Sequence, residues 1–158
     1  MTPLKIGSSL FRWGSQTYVM GIINVTPDSF SGDGLIGRDD WIAAAIAQGV
    51  RFAREGAHLL DVGGESTRPG AQPVEAEEEL RRVLPVIEGL ARQVELPISI
   101  DTYKAGVAEA ALAAGASLVN DVWGLRLEPE LAGVCASKAA PIILMHNRSD
   151  PRDAIQEA

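Results

Sequence analysis

Apolar runs that stop abruptly in polar side chains and glycines recur five times along the chain. They are Tyr18–Phe30 (YVMGIINVTPDSF), His58–Gly70 (HLLDVGGESTRPG), Ile98–Lys104 (ISIDTYK), Ser117–Gly124 (SLVNDVWG) and Pro141–Arg148 (PIILMHNR). Short apolar runs bounded by Gly, Pro, Asn and Asp, with helical patterns between them, predict buried parallel strands in βα units. In such sheets ligands gather at the carboxyl ends of the strands, where these polar clusters lie.

The intervening segments complete the pattern. Residues 4–17 alternate loosely between apolar and polar, with turn signals at Gly7–Ser8 and Gly14–Ser15, which predicts a β-hairpin ahead of the main sheet. Asp39 and Asp40 are N-cap candidates for a helix that turns Trp41, Ile42, Ala45, Ile46, Val50 and Ala53 inward and ends at Gly56. The next helix starts in an acidic run (Glu75, Glu77, Glu78, Glu79) suited to the positive end of a helix dipole. Its apolar positions keep a helical period through Val94, but Pro85 predicts a kink or a break. An Ala-rich helix closed by Gly115 and a shorter one over about 128–137 follow. No linker divides the chain, so residues 1–158 read as one domain. Two architectures fit five βα units: an open doubly wound sheet, or a (β/α)8 barrel cut short, since a whole barrel needs eight strands and about 250 residues.

Composition narrows the partners. A 46% hydrophobic fraction over 158 residues supports one globular core. A net charge of −7 and a pI near 4.8 argue against a general nucleic-acid surface. An anionic substrate stays open, because screening over about 8 Å makes local charge decisive. The one cysteine, Cys135, sits in a helical pattern; it allows no internal disulfide and reads as a small buried residue. No run reaches about 18 apolar residues and no secretion signal is evident, so the expected location is the cytoplasm, away from membranes.

The strand ends hold the candidate chemistry. Asp101 directly follows Ile98–Ile100, where a carboxylate suits a heterocycle with adjacent N–H groups or acid–base work. An N-cap role for the helix after Tyr103 competes with this. Asn120 and Asp121 end the fourth strand; Asn120 combines an acceptor with two donors, useful for a ring of mixed polar edges. Asn24, before Thr26–Pro27–Asp28, could lend its carbonyl oxygen to Mg²⁺ or simply shape the turn. In Glu65-Ser-Thr-Arg-Pro-Gly70, Arg68 could clamp a phosphate or carboxylate, or remain solvated. Phe30 could stack on a flat substrate or pack its loop down. His146 ends the fifth strand, whereas His58 begins the second and should serve structure at the opposite rim. Neither GxGxxG after the first strand nor GxxxxGK[ST] is present, which removes most support for dinucleotide and NTP binding.

Taken together, Gly21–Gly32 (GIINVTPDSFSG), Asp61–Ala71 (DVGGESTRPGA), Ile98–Thr102 (ISIDT) and Val119–Val122 (VNDV) resemble, in order, the successive strand-end motifs of the dihydropteroate synthase family. The match spans nearly the whole chain. The resemblance implies a TIM (β/α)8 barrel, of which this chain supplies about the first five βα units behind an N-terminal β-hairpin. It implies a transferase that joins (7,8-dihydropterin-6-yl)methyl diphosphate to 4-aminobenzoate, giving 7,8-dihydropteroate and diphosphate in folate biosynthesis. It further implies that Asp101 and Asn120 hold the pterin, with Asp101 offsetting positive charge on the ring. By the same resemblance Asn24 binds Mg²⁺ or diphosphate, Thr67, Arg68 and Pro69 shape the second loop, Phe30 closes from the first, and Val122 and Met145 line the pterin pocket. Arg68 joins Asp101 and Asn120 as the catalytic set.

Family strands six to eight, which supply further pterin and anion ligands, have no counterpart in this sequence, so the expectation is the N-terminal part of a synthase that dimerises at full length. Two other assignments compete. A methyltetrahydrofolate-dependent corrinoid methyltransferase shares the barrel and the Asp/Asn grip, but its family lacks the paired TPDSFS and STRPG loops. A non-catalytic pterin-binding half-barrel would fit the short length.

Overall fold

The computed structural model describes residues 2–26, 40–66 and 72–146. At its start β1 (Leu4–Ile6) and β2 (Ser9–Phe11) pair antiparallel across Gly7–Ser8. Gly7 takes φ +57, the left-handed conformation that a two-residue hairpin turn demands. A second turn at Gly14–Ser15 is closed by a Trp13–Gln16 bridge, so both turn signals are used.

The main sheet contains β3 (Met20–Asn24), β4 (Leu59–Gly63), β5 (Ile98–Asp101), β6 (Leu118–Asp121) and β7 (Ile142–Leu144), all parallel. Their spatial order is their chain order. A doubly wound sheet reverses its strand order at a switch point, and none exists among the described residues. The strands also carry their crossovers in one direction, and right-handed crossovers then put every helix on the same face. This is the winding of a (β/α)8 barrel over its first five units, and the open doubly wound alternative fails.

Residue alternation assigns the two faces. Ile23, Val25, Leu60, Val62, Ile98, Ile100 and Val119 are buried against the helices in the principal core. The other face is plugged at its lower end by the hairpin, whose Ile6 and Phe11 pack on Leu59, Leu118, Tyr18 and Met20. Above that plug the face opens: Ile22 is 55% and Ile143 39% exposed.

Helices α1 (Trp41–Arg54), α2 (Ala76–Ala91), α3 (Ala105–Ala114) and α4 (Leu131–Ser137) cover the outer side. Asp40 occupies the N-cap of α1 without a side-chain capping bond, and Asp39 lies outside the described residues. Gly56 at φ +99 and Gly115 at φ +122 end α1 and α3 as expected. Pro85, expected to kink or break its helix, sits inside a continuous α2. The carbonyl that loses its partner is that of Arg81, on the exposed side, where water can serve it. The fourth helix starts at Leu131 because residues 128–130 form a turn that receives its amide. Cys135 is buried, as expected. Among the described residues no helix is long and apolar enough to cross a membrane.

Gly49 lets α1 approach the sheet. A Cβ there would lie 2.5 Å from Leu90 and 2.9 Å from Ile23, both fully buried. Overpacking therefore outweighs the gain in helix propensity, and Gly49→Ala is expected to destabilise the fold by about 1–2 kcal/mol. A urea midpoint at or above that of the unmodified chain would show that the neighbours yield freely.

Candidate functional site

Polar residues stand at alternate positions on the open face of the sheet, near its carboxyl end. Asp61 and Gly63 come from β4, Ser99 and Asp101 from β5, Asn120 from β6, and Asn24 from the end of β3. Register brings them together: Asn24 pairs with Gly63, Gly63 with Asp101, and Asp101 with Asn120. A Cβ at Gly63 would lie 3.4 Å from the Asp101 carboxylate. A methyl group there would just reach van der Waals contact with it.

Asp61 is 3% exposed, and its Oδ2 accepts a hydrogen bond from Asn120 Nδ2 at 3.1 Å. That bond turns the Asn120 amide so that its carbonyl oxygen and remaining N–H are available to a ligand. Asp61 Oδ1 and Ser99 Oγ are both buried without a hydrogen-bond partner among the described residues. Ser99 is near enough to ease the Asp61 charge, yet the two form no well-directed bond.

Electrostatics follow from crowding. Burial lifts the Asp61 carboxyl above its ordinary range, opposed by Ser99 and Asn120. Asp101 is pushed up to about 7, first by burial and then by the charges of Asp61, Glu79, Asp121 and Glu65. It therefore changes protonation near neutrality. A ligand presenting N–H groups favours its ionised form, so affinity should rise as pH increases through that range. Asp61→Asn removes one of the repelling charges but none of the burial. It is expected to lower the midpoint of that rise without restoring an ordinary carboxylate value; an unmoved midpoint would show that Asp61 carries no charge when Asp101 titrates.

The remaining expected residues divide clearly. Asp101 is no N-cap, because Lys104 holds that position for α3. Asp121 satisfies its own loop, accepting from Trp123 N at 2.8 Å and Leu125 N at 2.6 Å, which leaves Asn120 as the site residue of the pair. Val122 and Met145 follow the ends of β6 and β7 at the same rim, with Met145 N donating to the Asp121 carbonyl. His58 lies at the opposite rim, where Nδ1 accepts from Val19 N at 3.0 Å and the ring stacks edge-on with Tyr18. Exposed His146 follows β7. Phe30, Thr67, Arg68 and Pro69 lie outside the described residues.

Two groups of residues escaped the sequence reading. Asp61 and Ser99 were signalled only as polar positions at the inward phase of apolar strands, two residues before Gly63 and Asp101. The second group is a buried cluster in which Lys104 Nζ donates to both Glu65 and Glu79. Glu79 reads from the sequence only as a member of the acidic run at the helix start, yet it is 0% exposed. No local pattern couples residues 25 and 39 positions apart. Among the described residues no group of three or more His, Cys, Asp or Glu side chains is placed to hold a metal.

A family model described as pterin binding enzyme matches residues 20–158. The dihydropteroate synthase of Synechocystis sp. is 52% identical over 150 residues, covering 95% of this chain and 51% of that protein. That of Bacillus subtilis is 50% identical, covering 90% and 49%. Among solved structures, Xanthomonas albilineans dihydropteroate synthase with 4-aminobenzoic acid superposes with a TM-score of 0.84 at 51% identity, covering 94% of this chain and 52% of that one. The same enzyme in complex with 7,8-dihydropteroate gives 0.78 at 48% identity, covering 92% and 51%. The chain thus spans about half the length of the relatives it matches.

Proposed function

The chain belongs to the pterin-binding enzyme family, and we propose that it carries the first five βα units of a dihydropteroate synthase. The observation that carries this is the meeting of Asp61, Asp101 and Asn120 on three adjacent strands, with the Asn120 amide oriented by its bond to Asp61. A pterin's aminopyrimidinone edge offers adjacent N–H donors and a carbonyl acceptor. Carboxylates and one oriented amide are the complementary set. Val122 and Met145 would supply apolar contact at the rim.

In the reaction, the bond from the pterin methylene to diphosphate breaks with its electron pair on the departing oxygen. The amine of 4-aminobenzoate then bonds to the methylene and loses a proton. Ionised Asp101 would oppose the positive charge that builds on the ring, where a fixed charge in a partly desolvated site acts strongly. Thr67, Arg68 and Pro69 would border the diphosphate and the aryl amine, with Phe30 approaching from the first loop.

Asn24 is exposed at the end of β3 and offers one neutral oxygen. This fits Mg²⁺, which keeps waters and takes its other ligands from substrate phosphates. When bound, the ion would neutralise the departing diphosphate. The same proposal places residues 1–158 in a single barrel domain, within a cytoplasmic enzyme that is a homodimer at full length.

The test is an assay of the native polypeptide containing this sequence with the pterin diphosphate and 4-aminobenzoate, following dihydropteroate and diphosphate together. Stoichiometric formation of both is expected. Methyl transfer from methyltetrahydrofolate without diphosphate release would assign the corrinoid class instead. Pterin binding without turnover would make the polypeptide a binding module.

A further inference from the structure

We propose that Lys104 is a positioning residue that, through Glu65 and Glu79, pins the two flanks of the segment joining β4 to α2 against the strand end bearing Asp101. This rests on the proposed function, because that segment contains Arg68.

Glu65 follows β4, and its Oε2 accepts from Val74 N at 3.3 Å, tying together two points nine residues apart. Tyr103 OH donates to Oε1 of the same carboxylate at 3.3 Å. Lys104 Nζ donates to Glu65 and also to Glu79 of α2, so one ammonium bridges both carboxylates. Its side chain is 10% exposed, that of Glu65 13% and that of Glu79 1%. Lys104 N donates to Thr102 Oγ1 at 3.2 Å, fixing the turn directly after Asp101. The approach is close on every side: a Cβ at Gly64 would lie 2.8 Å from Val83 and 2.9 Å from Glu79, and Arg82 Nη1 donates to the Gly64 carbonyl at 2.9 Å.

Burial works against the Lys104 ammonium, but its bonds and charge contacts with Glu65 and Glu79 hold it above its ordinary value. Burial also lifts Glu79 above the usual carboxylate range, opposed by its bond and charge contact with Lys104, with a smaller upward push from the Glu65 charge. A buried ion pair contributes little net stability but fixes geometry, and losing one partner is costly. Among the described residues the cluster shares no hydrogen bond with Asp61 or Asn120, but it acts on Asp101 through the charges of Glu65 and Glu79. Its hold on the β4–α2 connection therefore separates from pterin binding at a pH where Asp101 is ionised.

The full-length protein with Lys104→Met, and with the milder Glu65→Gln, separates the possibilities. Glu65→Gln keeps the shape and the Val74 acceptor while removing the ion pair, and it serves if Lys104→Met does not fold. Hydrogen exchange at Val74 is expected to quicken about tenfold, the scale of one lost charge-assisted bond. At about pH 9, where Asp101 is ionised, the KM for 4-aminobenzoate should rise about tenfold while pterin diphosphate affinity stays within about threefold. Lys104→Arg should recover part of the KM, because it restores a cation to both carboxylates. A lower melting temperature with exchange at Val74 and KM both unchanged would reduce Lys104 to a stability role and overturn the proposal. Equal loss of pterin affinity and aryl-amine KM would overturn it too. If the unmodified protein makes no dihydropteroate, the functional assignment fails by itself, and exchange at Val74 still reports on the clasp.

Discussion

Asp101→Asn is expected to weaken pterin binding by about a hundredfold, the scale of two charge-assisted hydrogen bonds turned into weaker or mismatched ones. The carboxylate is acceptor-only when ionised, whereas the amide presents one acceptor and an NH₂ that would face the ligand's own donors. The ligand-free protein should respond in the opposite sense. Asp101 titrates at about 7 in the fold against 3.8 unperturbed. Between those values the folded state holds a proton that the unfolded state has released, so its contribution to stability declines as pH rises from 3.8 to about 7 and stays low above. The Asn variant has no such charge to bury. It should therefore gain in melting temperature relative to the unmodified protein at about pH 8, and much less at about pH 4. Titration calorimetry with a pterin and melting curves at the two pH values measure both halves. Unchanged affinity would remove Asp101 from the pterin site, and a stability difference independent of pH would show that its charge is not the cause.

Arg68→Ala should slow turnover by about 10²–10³-fold while pterin affinity stays within about threefold, as for loss of a group that meets charge only as it develops. The diphosphate gains negative charge while its bond to the methylene lengthens. A planar guanidinium can meet two of its oxygens at once. For the same reason Arg68→Lys should recover only part of the rate, since a point charge replaces a fork. Single-turnover kinetics with pre-bound pterin diphosphate isolates the chemical step. A normal rate would take Arg68 out of the mechanism. An equal fall in pterin diphosphate affinity would make it a binding residue for the ground state.

Of the two positions on which these expectations rest, Asp101 was readable in the chain for a physical reason, whereas Arg68 lies outside the described residues. Asp101 and Asn120 each lie at the end of a short buried strand, and a parallel strand in a βα unit delivers its last side chains to one rim. The motif order then placed them with Asn24 at the same end. Of the kink or break that Pro85 predicts, the break does not occur, and the residue whose carbonyl loses its bond, Arg81, is an exposed one. The acidic run does occupy the first turn of α2, but nothing local shows that one of its members, Glu79, turns inward to Lys104.

By itself the sequence determined the strands, their polar ends, the hairpin turns at Gly7 and Gly14 and the family. These depend on periodicity, local backbone conformation and contiguous motifs, all of which are written along the chain. Only the tertiary structure decided that the strands lie in chain order with every helix on one side, because pairing between strands carries no local mark. It alone joined Asp61 to Asn120 across 59 positions and Lys104 to Glu79 across 25. Such contacts are set by register and by the close packing of α2 on the sheet, where burial turns isolated charges into a coupled group.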